Sequence, residues 1–193
     1  MPLRGREILD WLPITIPADA TGRNYAFEPK QVRDLLQTAE SFEHDKHWQN
    51  PRQQIAQMNE LCEQAGAKFL LVLAPTKARV VLPLVANRLN AAKVRAFAAI
   101  DYKKPLTSES EFLEELLSSA DSKEKVIADW CNSESIPFFS PAPVLRHAMA
   151  QGIQVYYSYD QHWTPEGHEH VARAIQEFVG QKFRLGAEGI SKR

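Results

Sequence analysis

The sequence predicts an α/β fold with a small, mainly parallel sheet flanked by helices. Three observations carry that expectation. From Lys68 to Ala74 runs a short, almost wholly apolar stretch, the pattern of a strand buried on both faces in a parallel sheet. Ile136 to Phe139 reads as a second buried strand. Around both lie segments whose apolar residues recur at intervals of three and four, the spacing of amphipathic helices. Buried strands alternating with such helices make a layered α/β domain.

Taken in order, residues 1–27 carry Pro2, Pro13, Pro17, Gly5 and Gly22 and read as an irregular leader, with a short extended piece at Trp11 to Ile16. The domain is expected over residues 28–182, and residues 183–193 form a tail. From Pro29, the spacing of Val32, Leu35, Leu36, Ala39 and Phe42 predicts a helix. A charged connector, Glu43 to Asn50, follows; its His44 and His47 read as solvated. Pro51 opens a helix with Ile55, Met58, Leu61, Cys62 and Ala65 inward, capped by Gly66.

After the first strand, Pro75-Thr76-Lys77 places Lys77 at its carboxyl end, where open α/β sheets bind ligands. Lys77 is therefore a candidate for substrate contact or oxyanion support, with a solvated loop lysine as the alternative. Arg79 to Val85 is apolar but interrupted by Pro83, so a loop or edge segment is expected there. Asn87 to Ile100 reads as helical. Ser108 with Glu111 forms a capping box for a helix burying Phe112, Leu113, Leu116 and Leu117. Asp121 with Glu124 starts another, burying Val126, Ile127, Trp130 and Cys131. A short helix opens at Ser140-Pro141 and ends before Gly152, and the last helix starts at Thr164-Pro165 and buries Val171, Ala172, Ile175, Phe178 and Val179, with His168 inward and His170 outward.

Composition bounds the partners. Lys plus Arg number 23 and Asp plus Glu 24 in 193 residues, so a net charge of −1 gives no bulk attraction to nucleic acid or anionic membrane. No apolar run approaches the ~20 residues that span a bilayer. Met1 to Arg6 is basic, but Glu7, Asp10 and Pro13 break the following stretch and make it a poor signal-peptide core. Cys62 and Cys131 sit on apolar helical faces and read as free thiols. No cofactor motif is present, and the oligomeric state is not indicated.

The stretch with chemical content is Tyr157 to His168, which reads Tyr-Ser-Tyr-Asp-Gln-His-Trp-Thr-Pro-Glu-Gly-His. Val155 to Tyr157 favours extended backbone, and Thr164-Pro165 supplies an N-cap followed by proline at the first helical position. Asp160 and His162 thus lie in a strand-to-helix turn, two residues apart, where their side chains can converge. A carboxylate holding Nδ1–H of an imidazole leaves Nε2 free to take a proton from a nucleophile, the base half of a Ser-His-Asp triad. Trp163 can wall such a site from water and contact substrate. A helix-entry hydrogen-bond network without catalysis is the plain alternative. Metal binding by Asp160, His162, His168 and His170 is disfavoured because His168 and His170 point in different directions on the helix. No metal is assigned.

The Asp-Gln-His-Trp-Thr-Pro-Glu-Gly-His block resembles the C-terminal Asp/His block of SGNH (GDSL-like) hydrolases. It is closest to the Asp-x-His-Trp-Thr-Pro-x-Gly form of the alginate O-acetylation branch, which also shows a Pro-x-Lys after the equivalent strand. The resemblance implies a three-layer α/β/α domain and a Ser nucleophile from a Gly-Asp-Ser block. It also implies action on acyl esters of carbohydrates or lipids, in a periplasmic or extracytoplasmic setting. The sequence departs from the pattern in having no Gly-Asp-Ser and no Gly-x-Ser-x-Gly. With only two secure strands besides, it reads as part of an SGNH domain. The expected function is an acyl ester hydrolase or carbohydrate O-acetyltransferase using Asp160 and His162, and the alternative is a non-catalytic SGNH-like binding or scaffold domain.

Overall fold

The computed structural model describes residues 23–183 and the backbone of Ile14–Thr15. The rest of the expected leader and the tail from residue 184 lie outside the described residues. In chain order the elements are β1 (Ile14–Thr15), β2 (Asn24–Tyr25), α1 (Pro29–Arg33), a 3₁₀ turn (Asp34–Leu36), α2 (Ala39–Glu43), α3 (Lys46–Gln64) and β3 (Leu71–Val72). There follow α4 (Lys77–Leu84), a 3₁₀ turn (Ala86–Arg88), α5 (Ala91–Ala98), α6 (Glu109–Ser118), α7 (Ser122–Ser133), β4 (Phe138–Phe139), α8 (Ala142–Ala150) and α9 (Pro165–Phe183).

The fold is α/β, as expected. β3 and β4 pair in parallel, with Leu71 opposite Phe138 and Val72 opposite Phe139. Helices cover both faces. On one, Leu71, Leu73 and Phe138 pack against Trp48 of α3 and Ile127, Trp130 and Cys131 of α7. On the other, Phe139 meets Phe178 of α9 with ring centroids 5.3 Å apart. Val72 shares that second face with its partner Phe139 and is 37% exposed. The strand expected to be buried on both faces is therefore partly buried on one and exposed at Val72 on the other. A larger core joins α4, α5, α6 and α8 through Val80, Leu82, Phe97, Phe112 and Leu145. Tyr25 and Phe27, placed in the leader by the sequence reading, are buried in that core.

Two proline-bearing segments differ from expectation. Arg79 to Val85 is not a loop or edge segment but lies largely within α4, whose Lys77 to Leu82 are buried. Pro83 removes the N–H that would bond the carbonyl of Arg79 four residues back. Arg146 of α8 supplies the missing donor, its Nη2 lying 2.8 Å from that oxygen. Pro51 does not open its helix either. α3 begins at Lys46, where Asp45 caps it by accepting from the His47 N–H at 2.8 Å, so most of the expected connector is helical. Trp48 anchors that early turn, packed edge-on against Trp130 at 5.3 Å. On the same helix Met58 and Leu61, expected inward, are 53% and 64% exposed.

The expected capping box at Ser108 and Glu111 is present. Asp121, in contrast, makes no side-chain cap. It binds Arg146 through both guanidinium nitrogens at 2.7 and 2.9 Å and Arg79 at 3.1 Å. Glu124 pairs with Arg79 and accepts from the Ser140 hydroxyl at 2.6 Å. The two carboxylates thus join α4, α7 and α8. Both cysteines are free; Cys131 is buried, and burial pushes its thiol up to about 11, while Cys62 is half-buried. Among the described residues no helix is long and apolar enough to cross a membrane.

Candidate active site

Asp160 and His162 lie in the loop between Tyr157 and Trp163. The loop is closed at its base by Tyr157 N–H to the His162 carbonyl at 3.2 Å and Thr164 N–H to the Val155 carbonyl at 3.0 Å. A bridge pairs Tyr156 with Trp163. Thr164 and Pro165 start α9 as the sequence predicts, the threonine hydroxyl accepting the Gly167 N–H at 3.1 Å. Gly167 is required by packing: a Cβ there would stand 2.3 Å from the Val155 carbonyl oxygen, a backbone atom. Gly167→Ala is accordingly expected to destabilise the protein by about 1–3 kcal/mol, the usual range for overpacking. A urea midpoint that does not move would show that the helix start can shift at little cost.

The structure brings Asp160 and His162 together, by a different route from the extended segment expected. Asp160 Oδ1 accepts the His162 backbone N–H at 2.7 Å, which is an Asx turn. The same oxygen contacts His162 Nδ1. These bonds from the His162 backbone and ring hold the Asp160 carboxyl below its usual range, with the Lys77 charge adding a smaller effect. An ionised carboxylate only accepts, so Nδ1 is the donor in this contact, and in the neutral ring Nε2 is then the nitrogen with the free pair. The imidazole is 84% exposed and the carboxylate 56%, so the pair faces outward.

Lys77 is not on the open surface. It is 0% exposed, and its ammonium donates to the carbonyls of Tyr157 at 3.2 Å, Ser158 at 3.0 Å and Asp160 at 2.9 Å. An ammonium has three N–H donors, so a substrate or oxyanion contact by Lys77 would have to displace one of these carbonyls. The Phe27 ring lies 5.5 Å from Nζ, and the Ala26 N–H shares the Ser158 carbonyl at 2.8 Å. Neither Phe27 nor Ala26 is recognisable from the sequence as part of the site, because both act through long-range contacts.

Trp163 is half-buried beside His162, its ring 5.3 Å from that of His168 and edge-on to it. His168 is exposed and His170 partly buried, the reverse of the expected facing. The phenol of Tyr156, under the loop, donates to the Pro75 carbonyl at 2.8 Å, tying the end of β3 to the start of the site. Burial pushes that phenol up to about 12.

Neither curated proteins nor solved structures give a match to this chain. A family model described as "SGNH hydrolase-like domain, acetyltransferase AlgX" matches residues 82–192. That span covers more than half of the chain, including the Asp160–His162 loop and the whole of α9. The chain belongs to the SGNH hydrolase-like family of acetyltransferase AlgX.

Proposed function

We propose that residues 28–182 form the base-bearing part of an SGNH-type acyl ester hydrolase or carbohydrate O-acetyltransferase, with His162 as general base and Asp160 as its orienter. The observation that carries this reading is the contact of Asp160 Oδ1 with His162 Nδ1 on a ring that is largely exposed. An imidazole so held can take the proton of a serine hydroxyl as its Oγ attacks an acyl carbonyl. The same proton then goes to the departing alkoxide, leaving an acyl-serine. Water or a sugar hydroxyl, deprotonated by Nε2 in turn, takes the acyl group and releases the serine. The half-exposed indole of Trp163 is proposed to offer the substrate an apolar face next to the base.

The serine is proposed to come from outside this chain. Among the described residues no serine hydroxyl hydrogen-bonds to His162. That observation also favours a second reading, a non-catalytic SGNH-like binding or scaffold domain. Sequencing the flanking coding region separates them. A frame continuing into a Gly-Asp-Ser block supports the enzyme, and an uninterrupted frame without one supports the scaffold. The role of His162 is tested by acyl-ester turnover after its replacement.

A further inference from the structure

We propose that Lys77 is a positioning residue for the Asp160–His162 pair: its buried ammonium is the hub on which the loop is wound, and through Asp160 it selects the imidazole tautomer. The proposal rests on reading His162 as the general base. Carbonyl dipoles at Tyr157, Ser158 and Asp160 converge on one point within 3.2 Å. Their like ends repel unless a cation with three donors stands between them, and an ammonium supplies that number. Asp160 is consequently gripped at both ends, its carbonyl by Lys77 and its carboxylate by His162. Neither grip alone fixes the side chain relative to the base of the loop.

The first residue of a helix is a poor place for a buried cation, because the helix presents its positive end there. Burial lowers the Lys77 pKa to about 8, and the carboxylates of Asp160 and Glu28 oppose the shift. A lysine with a folded pKa below the usual 10.5 binds fewer protons folded than unfolded between those values, so its contribution to stability rises with pH across that window. Its charge at neutral pH therefore costs folding free energy while ordering the loop. A side chain that served packing alone would be better apolar.

Without Lys77, the Ser158 carbonyl keeps the Ala26 N–H, but the carbonyls of Tyr157 and Asp160 must turn to water. That rotation carries the Asp160 side chain away from Nδ1. A histidine released from such a bond returns to its ordinary form with the proton on Nε2, which is useless as a base toward a serine.

The test is long-range ¹H–¹⁵N correlation on the full chain with labelled histidine, at a pH where His162 is neutral. In the wild type the proton is expected on Nδ1. In Lys77→Met it is expected on Nε2 in more than about half of the molecules, with faster amide exchange at Tyr157 and His162. In Lys77→Ala, n-propylammonium, which matches the deleted atoms, is expected to restore the Nδ1–H form, a rescue that a filler role would not produce. Should both variants fail to fold, the wild type is titrated from pH 7 to 10. The neutral amine has one donor fewer, so the Nδ1–H signal is expected to fall as Lys77 loses its proton. A folded Lys77→Met that keeps Nδ1–H overturns the proposal, as does a wild type that keeps it through the Lys77 titration. A wild-type proton on Nε2 removes the base reading itself, and this proposal with it.

Discussion

His162→Ala is expected to lower acyl-ester turnover by ~10²–10⁴-fold in the protein that carries the nucleophile, the usual contribution of a positioned general base. Asp160→Ala is expected to lose most of the same factor. The carboxylate is the acceptor that favours the proton on Nδ1, and in the other tautomer the free pair sits on Nδ1, so Nε2 has none to offer a serine. His168→Ala is the informative control: it removes an imidazole of the same block that touches Trp163 but makes no bond to Asp160 or His162. Its loss is expected to be slight. Measurement of kcat/KM with one acetyl ester across the three variants checks the order, and equal, mild losses would count against the assignment.

Arg79→Met is expected to have the largest effect on stability, about 3 kcal/mol, because it leaves the largely buried Glu124 carboxylate without its cation. Arg79 is buried and its guanidinium meets both Asp121 and Glu124. Without it, Glu124 retains only the Ser140 hydroxyl, and α4 loses its link to α7. Arg146 still holds Asp121 and the Arg79 carbonyl, so the α8 side of the cluster survives. Urea unfolding followed by circular dichroism measures the loss. The cluster also predicts acid sensitivity. Bonds chiefly from Arg146 hold the Asp121 carboxyl below its ordinary value. A depressed carboxylate stabilises the fold above its unfolded pKa, and that stability is lost as pH falls through the folded one. The wild type should therefore lose stability below about pH 4, and Arg79→Met should lose less over the same range.

What could be read from the sequence was local. Thr164-Pro165 announces α9, and residues two apart bring Asp160 and His162 together, because a cap and an Asx turn each depend on neighbours within a few positions. The Lys68–Ala74 run correctly marks β3, and its Leu71 and Leu73 face the Trp48 and Trp130 cluster. Other features hid because their partners lie far along the chain. Pro83 signals the end of regular structure until Arg146, 67 residues beyond Arg79, takes the freed carbonyl. Lys77 stands at a strand end, where ligands are expected, yet its ammonium turns inward to carbonyls 80 to 83 residues away. Asp121 and Glu124 have capping spacing, but two arginines compete for the same oxygens and win, since a charged donor binds a carboxylate more strongly than an amide does.

The central claim is that this chain supplies the Asp-His base and that the serine it activates lies elsewhere. The direct measurement is treatment of the 193-residue chain with a fluorophosphonate probe, alongside hydrolysis of an activated acetate ester. No serine is expected to be labelled, and ester hydrolysis is expected to match that of a His162→Ala control. Stoichiometric labelling at one serine, abolished by His162→Ala, would contradict the claim and identify that residue as the nucleophile.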